Sequence, residues 1–184
     1  MSGLLAALLK DKNAAPEKLA APFGYGAPFA QKYRTWLVKT GILKTSRDAQ
    51  MTPFGEVIWS HDPKFENVAT HWFMHHQLSL DPENAEAWYF FLKSFLPKNK
   101  TFTKEDLQNQ LAMKMMPHSE KHFRKGSSMN TTITNKLIEC YTKPEALGNL
   151  CLLTFDGRSF KGGNPEVLGP WNNMAEFENE LTSN

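Results

Sequence analysis

The chain has 184 residues, of which 13 are Phe, five Trp and four Tyr, with 21 basic and 19 acidic residues. This length predicts one domain or two small ones. The aromatic content excludes global disorder, because each buried ring removes roughly 150–250 Å² from water. Two cysteines are too few for a disulfide framework or a cysteine-rich zinc module, and a net charge of +2 excludes a general polybasic coat for nucleic acid.

No apolar stretch of the sequence approaches the roughly 18 residues that a membrane span needs. The first apolar run, residues 4–9, has no basic residue before it and is followed at once by Lys10, Asp11 and Lys12, which is unlike a signal peptide. We therefore expect a cytoplasmic protein that has no membrane partner.

Residues 1–60 are predicted to form a winged helix-turn-helix domain. The leucine spacing indicates a first helix, and Pro16 starts a second. A third runs from about Ala27 to Thr40, with Gly41 as its C-terminal cap. Two β-like runs then flank a polar loop, and Thr52-Pro53 begins a fourth helix. Helix, helix, helix, strand, loop, strand, helix is the order of a winged helix, in which the loop is the wing.

The third predicted helix has an apolar stripe on one side and a polar face on the other. The stripe has i, i+4, i+7 and i+8 spacing, so we expect it to face the core; it contains Phe29, Tyr33, Trp36 and Leu37. The opposite arc, about 100° wide at 100° per residue, contains Pro28, Gln31, Lys32, Thr35 and Lys39, with Arg34 on its flank.

Side chains of this kind contact phosphates and base edges when a helix enters the major groove. A predicted tight turn at Gly24-Tyr25-Gly26 would aim the start of the helix outward, where free N–H groups can hold a phosphate. Two cations of the predicted wing would reach the adjacent backbone or minor groove. The candidate DNA-binding residues are Tyr25, Gln31, Lys32, Arg34, Thr35, Lys39, Lys44 and Arg47. A protein-docking face or an ordinary solvated helix would have the same composition, so both alternatives stay open.

Residues 61–184 are predicted to form a helical domain with a short C-terminal β hairpin and an acidic tail. Asp62-Pro63 and Asp81-Pro82 each begin a helix, and these two helices are expected to form an antiparallel pair. A capping-box spacing at residues 103–106 opens another helix. The Asp156-Gly157 turn, between two apolar runs, predicts the hairpin.

Seven cations between residues 98 and 125 form a second basic segment. They are Lys98, Lys100, Lys104, Lys114, Lys121, Arg124 and Lys125, with Glu105, Asp106 and Glu120 among them. This segment could extend a DNA track, or it could be solvated charge on helices, and the sequence leaves both interpretations open.

Two histidine pairs have the i, i+4 spacing that suits a metal ion: His71 with His75, and His118 with His122. Neither pair has the Glu of a His-Glu-x-x-His motif, so we expect hydrogen-bonded structural histidines, with no metal and no catalytic residue. Convergence of both pairs is the basis for a metal-dependent hydrolase or nuclease as an alternative. Cys140 and Cys151 lie in apolar sequence and are interpreted as buried thiols rather than nucleophiles.

Several blocks of the sequence resemble a known family. They are Phe23-Gly24-Tyr25-Gly26, Arg34-x-Trp36-Leu37, Gly41-Ile42-Leu43, Met51-Thr52-Pro53-Phe54-Gly55, Asp62-Pro63-x-Phe65-Glu66, Ala69-Thr70-x-Trp72-Phe73-Met74-His75, Ala87-Trp88-Tyr89-Phe90-Phe91 and Phe102-Thr103-x-Glu105-x-Leu107. Their order is similar to that in the bacterial family catalogued as "domain of unknown function, four-thousand-seven", over residues 20–145.

Members of that family lie in DNA-modification and phage-defence gene clusters. Those clusters also encode a sulfotransfer protein similar to PAPS reductase, a cysteine desulfurase and ATPases. The resemblance therefore implies a non-catalytic accessory role in phosphorothioation-type DNA modification or antiviral defence, with no cofactor. The expected partners are duplex DNA and proteins of such a complex, and a homo-oligomer is possible. The alternative is an adaptor that docks on partner subunits through the winged helix.

Overall fold

The computed structural model describes residues 1–47, 49–163 and 167–183. Within these ranges the chain is mainly helical, as expected, and it also has a three-stranded antiparallel sheet. The helices are α1 Ser2–Lys10, α2 Pro16–Ala20, α3 Ala27–Lys39, α4 Pro53–His61, α5 Val68–Leu80, α6 Pro82–Phe90, α7 Lys104–Met115, α8 Glu120–Phe123, α9 Ser128–Thr142 and α10 Met174–Thr182. The strands are β1 Thr101–Phe102, β2 Leu153–Phe155 and β3 Phe160–Gly162.

The described residues group into two compact units. Unit 1 contains residues 1–77 and 168–183, and unit 2 contains residues 78–167. The boundary between the units thus lies within α5, and the chain after residue 167 belongs to unit 1 again. The division into domains 1–60 and 61–184 stays a prediction.

The N-terminal helices of unit 1 begin and end at local signals that the sequence displays. At the end of α3, Gly41 has φ +75°, and the Ile42 N–H donates to the Leu37 carbonyl at 2.9 Å. This is a Schellman motif, in which glycine takes the left-handed position that costs other residues energy. At the start of α4, the Thr52 hydroxyl accepts a hydrogen bond of 2.9 Å from the Gly55 N–H, which confirms the predicted cap.

The segment between α3 and α4 contains one β-bridge instead of the two predicted wing strands. Leu43 pairs with Met51, flanked by hydrogen bonds from the Lys44 N–H to Gln50 and from the Thr52 N–H to Ile42. Residues at both ends of the segment take part in helix capping, because Gly41 and Ile42 cap α3 and Thr52 caps α4. Too few residues therefore remain for regular strands in the described part of this segment.

Of the predicted apolar stripe of α3, only Leu37 is fully buried. Ala30 and Leu37 are fully buried, whereas Phe29, Tyr33 and Trp36 are half-buried. The buried face of α3 is thus centred on Ala30 and Leu37, which are seven residues apart, and the larger aromatic rings lie beside this face.

Helix α5 begins at Val68, so the predicted start at Asp62-Pro63 was wrong. Phe65 has φ +60°, which is incompatible with a helix. The Asp62 carboxylate accepts hydrogen bonds from the N–H groups of Glu66 (2.9 Å) and Asn67 (3.0 Å). Asn67 in turn caps α5 by accepting from the Ala69 N–H at 2.8 Å.

Residues 168–183 complete the core of unit 1. Phe177, on α10, is fully buried and packs its ring on those of Phe54, Phe73 and Trp171, with centroid distances of 5.5, 5.3 and 4.6 Å. His61 and Glu178 approach to 2.8 Å at the edge of this cluster. The acidic tail predicted from the sequence is therefore a packed amphipathic helix.

Unit 2 has an aromatic core between helices and sheet. The fully buried Phe91 packs near Phe95, Phe102 and Tyr141, with centroid distances of 6.0–6.1 Å. Strand β3 lies between β1 and β2, so the predicted hairpin of β2 and β3 is confirmed and gains an additional strand. The capping box that opens α7 also forms as predicted.

Candidate nucleic-acid interface

The polar face of α3 is open to solvent at its centre. Gln31, Lys32 and Thr35 are exposed, as their helical positions predict. The Thr35 hydroxyl donates to the Gln31 carbonyl of the preceding turn at 3.1 Å, so its oxygen keeps capacity to accept. None of the 13 residues of α3 is acidic. The helix therefore presents cationic and neutral polar groups without a carboxylate of its own.

Two predicted DNA-binding residues of α3, Arg34 and Lys39, are less exposed to solvent than the centre of the face. Arg34 is half-buried, and its Nε is buried without a hydrogen-bond partner in the described part of the chain. Lys39 is also half-buried, and this burial lowers the pKa of its ammonium group below the ordinary 10.5. Both side chains sit at the margins of the face, so Lys32 is its most accessible cation.

The loop after α3 adds two exposed cations. Lys44 and Arg47 are exposed, and the Arg47 N–H approaches the Thr45 hydroxyl at 3.4 Å. The Leu43–Met51 bridge holds the base of this loop. These positions agree with the predicted exposure of the wing cations.

Ion pairing varies among the cations of the two predicted DNA-binding segments. Within residues 1–47, 49–163 and 167–183, Lys32, Lys44 and Arg47 form no salt bridge. In the second basic segment, Lys114 pairs with Glu86 at 3.2 Å and Lys125 pairs with Glu105 at 2.7 Å. The other five cations of that segment form no salt bridge with a described residue. A cation without a carboxylate partner is the better phosphate ligand, because no existing pair must be broken first.

An exposed aromatic cluster lies at the start of α3, and the sequence analysis missed it. The Tyr25 ring stacks on Phe29 with a centroid distance of 4.4 Å and an interplanar angle of 7°. Phe29 also contacts Phe23 at 5.7 Å and Tyr33 at 4.6 Å. Tyr25 remains 60% exposed and Phe23 39%. The signal available in the sequence was the pair of glycines around Tyr25, which places this ring outside any helix.

The four histidines of the alternative metal site make other contacts, and the His75 ring packs edge-on against Trp72 at a centroid distance of 5.2 Å. His71 is buried and its Nε2 lies 2.8 Å from the Phe65 carbonyl. His118 approaches Glu86 at 3.0 Å, and His122 Nδ1 lies 3.0 Å from the Ser119 hydroxyl. In the described ranges, no group of three or more His, Cys, Asp or Glu side chains could hold a metal ion. The residues present therefore give the metal-dependent alternative no support.

The two cysteines differ from each other, and both are free thiols. Burial raises the pKa of the Cys140 thiol to about 11, although a hydrogen bond with Trp88 acts in the opposite direction. A thiol with such a pKa is a poor nucleophile at neutral pH, as predicted. Cys151 is exposed, so its predicted burial was wrong; it follows a short turn and has φ +52°.

These features define a mainly helical protein whose N-terminal unit exposes cations on α3 and in the loop after it, and an aromatic cluster at the start of α3. The chain belongs to the family described as "Protein of unknown function (DUF4007)", whose model matches residues 7–151. No curated protein and no solved structure matches the chain. No helix in the described ranges is both long and apolar enough to span a membrane.

Proposed function

We propose that this protein is a cytoplasmic, non-catalytic DNA-binding accessory factor that binds duplex DNA through α3 and the loop after it. The observation that carries the proposal is the set of exposed cations without ion pairs to described residues: Lys32, Lys44 and Arg47. Such groups release counterions from DNA on contact, and this release provides most of the sequence-independent affinity.

The winged-helix interpretation of residues 1–60 is part of this proposal. Its support is the element order, with α3 followed by a bridged loop and then α4. In that geometry α3 is the recognition helix, and Gln31, Lys32 and Thr35 would face the groove. Lys44 and Arg47 would contact the flanking phosphates. The setting that we propose is a bacterial DNA-modification or phage-defence complex, for which the family resemblance is the reason.

Titration of duplex DNA at several salt concentrations tests this function. Lys32→Ala with Lys44→Ala is expected to weaken binding and to reduce the slope of log affinity against log salt by about 0.9 for each lost phosphate contact. Lys12→Ala with Lys64→Ala removes the same charge from exposed positions elsewhere in unit 1 and serves as the control. Equal affinity and slope in both double variants and the wild type would exclude α3 and its loop as the DNA surface.

The exposed rings of Phe23 and Tyr25 favour a second candidate, an adaptor that docks on a protein subunit. Aromatic side chains are enriched at protein interfaces, where they bury large areas at small entropic cost. This function predicts a stable complex with a subunit of the modification or defence machinery and no DNA binding by the isolated chain at low salt.

A further inference from the structure

We infer that the Tyr25 ring is a stacking platform for an unpaired nucleobase, so that the DNA bound by α3 is locally opened rather than uniformly paired. This inference rests on the proposed function and specifies the form of its ligand. The observation behind this inference is the parallel stack of the Tyr25 and Phe29 rings. Their centroids are 4.4 Å apart and their planes differ by 7°, while Tyr25 remains 60% exposed.

The stack holds the Tyr25 ring in a defined orientation. Phe29 is half-buried on α3 and also contacts Phe23 and Tyr33, so the ring beneath Tyr25 is supported from several sides. The backbone of the turn is fixed as well, because the Gly24 N–H donates to Ala21 at 3.0 Å and the Tyr25 N–H to Ala20 at 3.3 Å. An aromatic platform that is already ordered loses little entropy when a second flat ring stacks on it.

A cation one helical turn after Phe29, the residue on which Tyr25 stacks, favours an anionic partner. Lys32 follows Phe29 by three residues on α3, so the two side chains are neighbours on the helix surface. Lys32 is exposed and forms no salt bridge with a described residue. A flat ring beside an available cation matches a nucleotide, which combines an aromatic base with a phosphate.

The exposed ring discriminates between paired and unpaired DNA. In a duplex each base is stacked between its neighbours, so its face is not available to a protein side chain. A base that is flipped out or lies in a single strand offers that face, and its stacking on an aromatic side chain tolerates any base. The ligand that fits both Tyr25 and Lys32 is therefore DNA with an unpaired nucleotide.

The test compares a short, fully paired duplex with the same duplex carrying one unpaired 2-aminopurine, which we call the bulged DNA. The proteins are wild type, Tyr25→Ala, Tyr25→Phe and Phe155→Ala. Phe155 is 56% exposed on β2 and is the matched control for loss of an exposed ring. Affinity is measured by fluorescence anisotropy, and stacking by quenching of the 2-aminopurine emission.

Wild type, Tyr25→Phe and Phe155→Ala are expected to bind the bulged DNA more tightly than the duplex and to quench 2-aminopurine. Tyr25→Ala is expected to lose about 5- to 150-fold in affinity for the bulged DNA, together with its quenching, and so to lose the preference for bulged DNA over the duplex. A thermal melt that superimposes on wild type shows that Tyr25→Ala is folded.

Three outcomes overturn the inference. If Tyr25→Ala binds the bulged DNA and quenches the 2-aminopurine emission as wild type does, stacking on Tyr25 is excluded. An equal loss on both DNAs assigns Tyr25 to duplex contact instead. In either case, a duplex affinity that depends on Lys32 and Lys44 leaves the proposed function standing. The absence of binding to both DNAs by wild type, even at low salt, overturns the proposed function together with this inference.

Discussion

The Thr52 hydroxyl donates a hydrogen bond of 2.6 Å to the Gly41 carbonyl and so joins the end of α3 to the start of α4. The same hydroxyl accepts from the Gly55 N–H, so one side chain satisfies groups at both helix ends. Between these residues lies the loop with Lys44 and Arg47. Thr52 therefore helps the Leu43–Met51 bridge to hold the loop next to the end of α3.

Replacement of Thr52 tests this connection. Thr52→Ala is expected to lower the free energy of unfolding by about 1–2 kcal/mol, because the cap and the bond to Gly41 are both lost. Thr52→Ser keeps the hydroxyl and should stay close to wild type. Urea unfolding followed by circular dichroism measures both variants. An alanine variant as stable as the serine variant would show that the hydroxyl contributes nothing.

Gly41 is expected to be less replaceable than Gly24, although both have positive φ (+75° and +73°). A Cβ on Gly41 would approach Gln77 Cγ to 2.7 Å, whereas a Cβ on Gly24 meets no atom of the described structure within 4 Å. Gly24→Ala should cost about 1–2 kcal/mol from the left-handed backbone, and Gly41→Ala should cost more. Thermal melts compare the two. Gln77→Ala added to Gly41→Ala should recover part of the difference, and a larger loss at Gly24 would contradict this explanation.

The capping box of α7 gives a pH-dependent prediction. Hydrogen bonds from the Thr103 backbone N–H and then from its hydroxyl lower the pKa of Asp106 below its ordinary 3.8. A carboxylate with a lowered pKa in the folded state contributes stability above its unfolded-state pKa and loses it as the pH falls through the folded-state value. Asp106→Asn should therefore be less stable than wild type at about pH 7, and this difference should shrink at about pH 3.

Urea titrations of wild type and Asp106→Asn at the two pH values provide the measurement. Glu105→Gln is the control, because this neighbouring residue is exposed and lies outside the capping box. A difference between wild type and Asp106→Asn that is independent of pH would mean that the charge on Asp106 does not stabilise the helix.

Phe177 tests whether α10 is integral to unit 1. Phe177→Ala removes a fully buried ring from the cluster with Phe54, Phe73 and Trp171, and should cost about 3–5 kcal/mol. Phe155→Ala, at an exposed ring, should change the stability by less than about 0.5 kcal/mol. Guanidinium unfolding followed by tryptophan fluorescence measures both. Similar stabilities would mean that α10 packs only superficially.

Signals that act within a few residues could be predicted from the sequence. The caps at Gly41, Thr52, Asp81 and Thr103 each involve groups two to five residues apart, and all of them form as expected. The exposure of Gln31, Lys32 and Thr35 also follows from helical spacing. DNA binding by these residues remains a prediction.

Features that depend on distant residues could not be predicted. Strand β1 is two residues long, and its partner β3 lies far along the chain, so no local pattern marks it. The late start of α5 depends on the buried Asp62 carboxylate and the positive φ of Phe65. The aromatic cluster at Tyr25 could not be predicted because Phe29 and Tyr33 share the helical spacing of Leu37 and were assigned to the core with it. Leu37 is fully buried, whereas these two rings are half-buried.

Unit 2 is continuous in the sequence, whereas unit 1 is assembled from two stretches on either side of it. During synthesis on the ribosome, residues 78–167 can fold as soon as they have emerged. The rings of Phe54 and Phe73 must wait for Phe177 to be translated before their packing is complete. The aromatic core that joins α4, α5 and α10 is thus completed only after all of unit 2 has been translated.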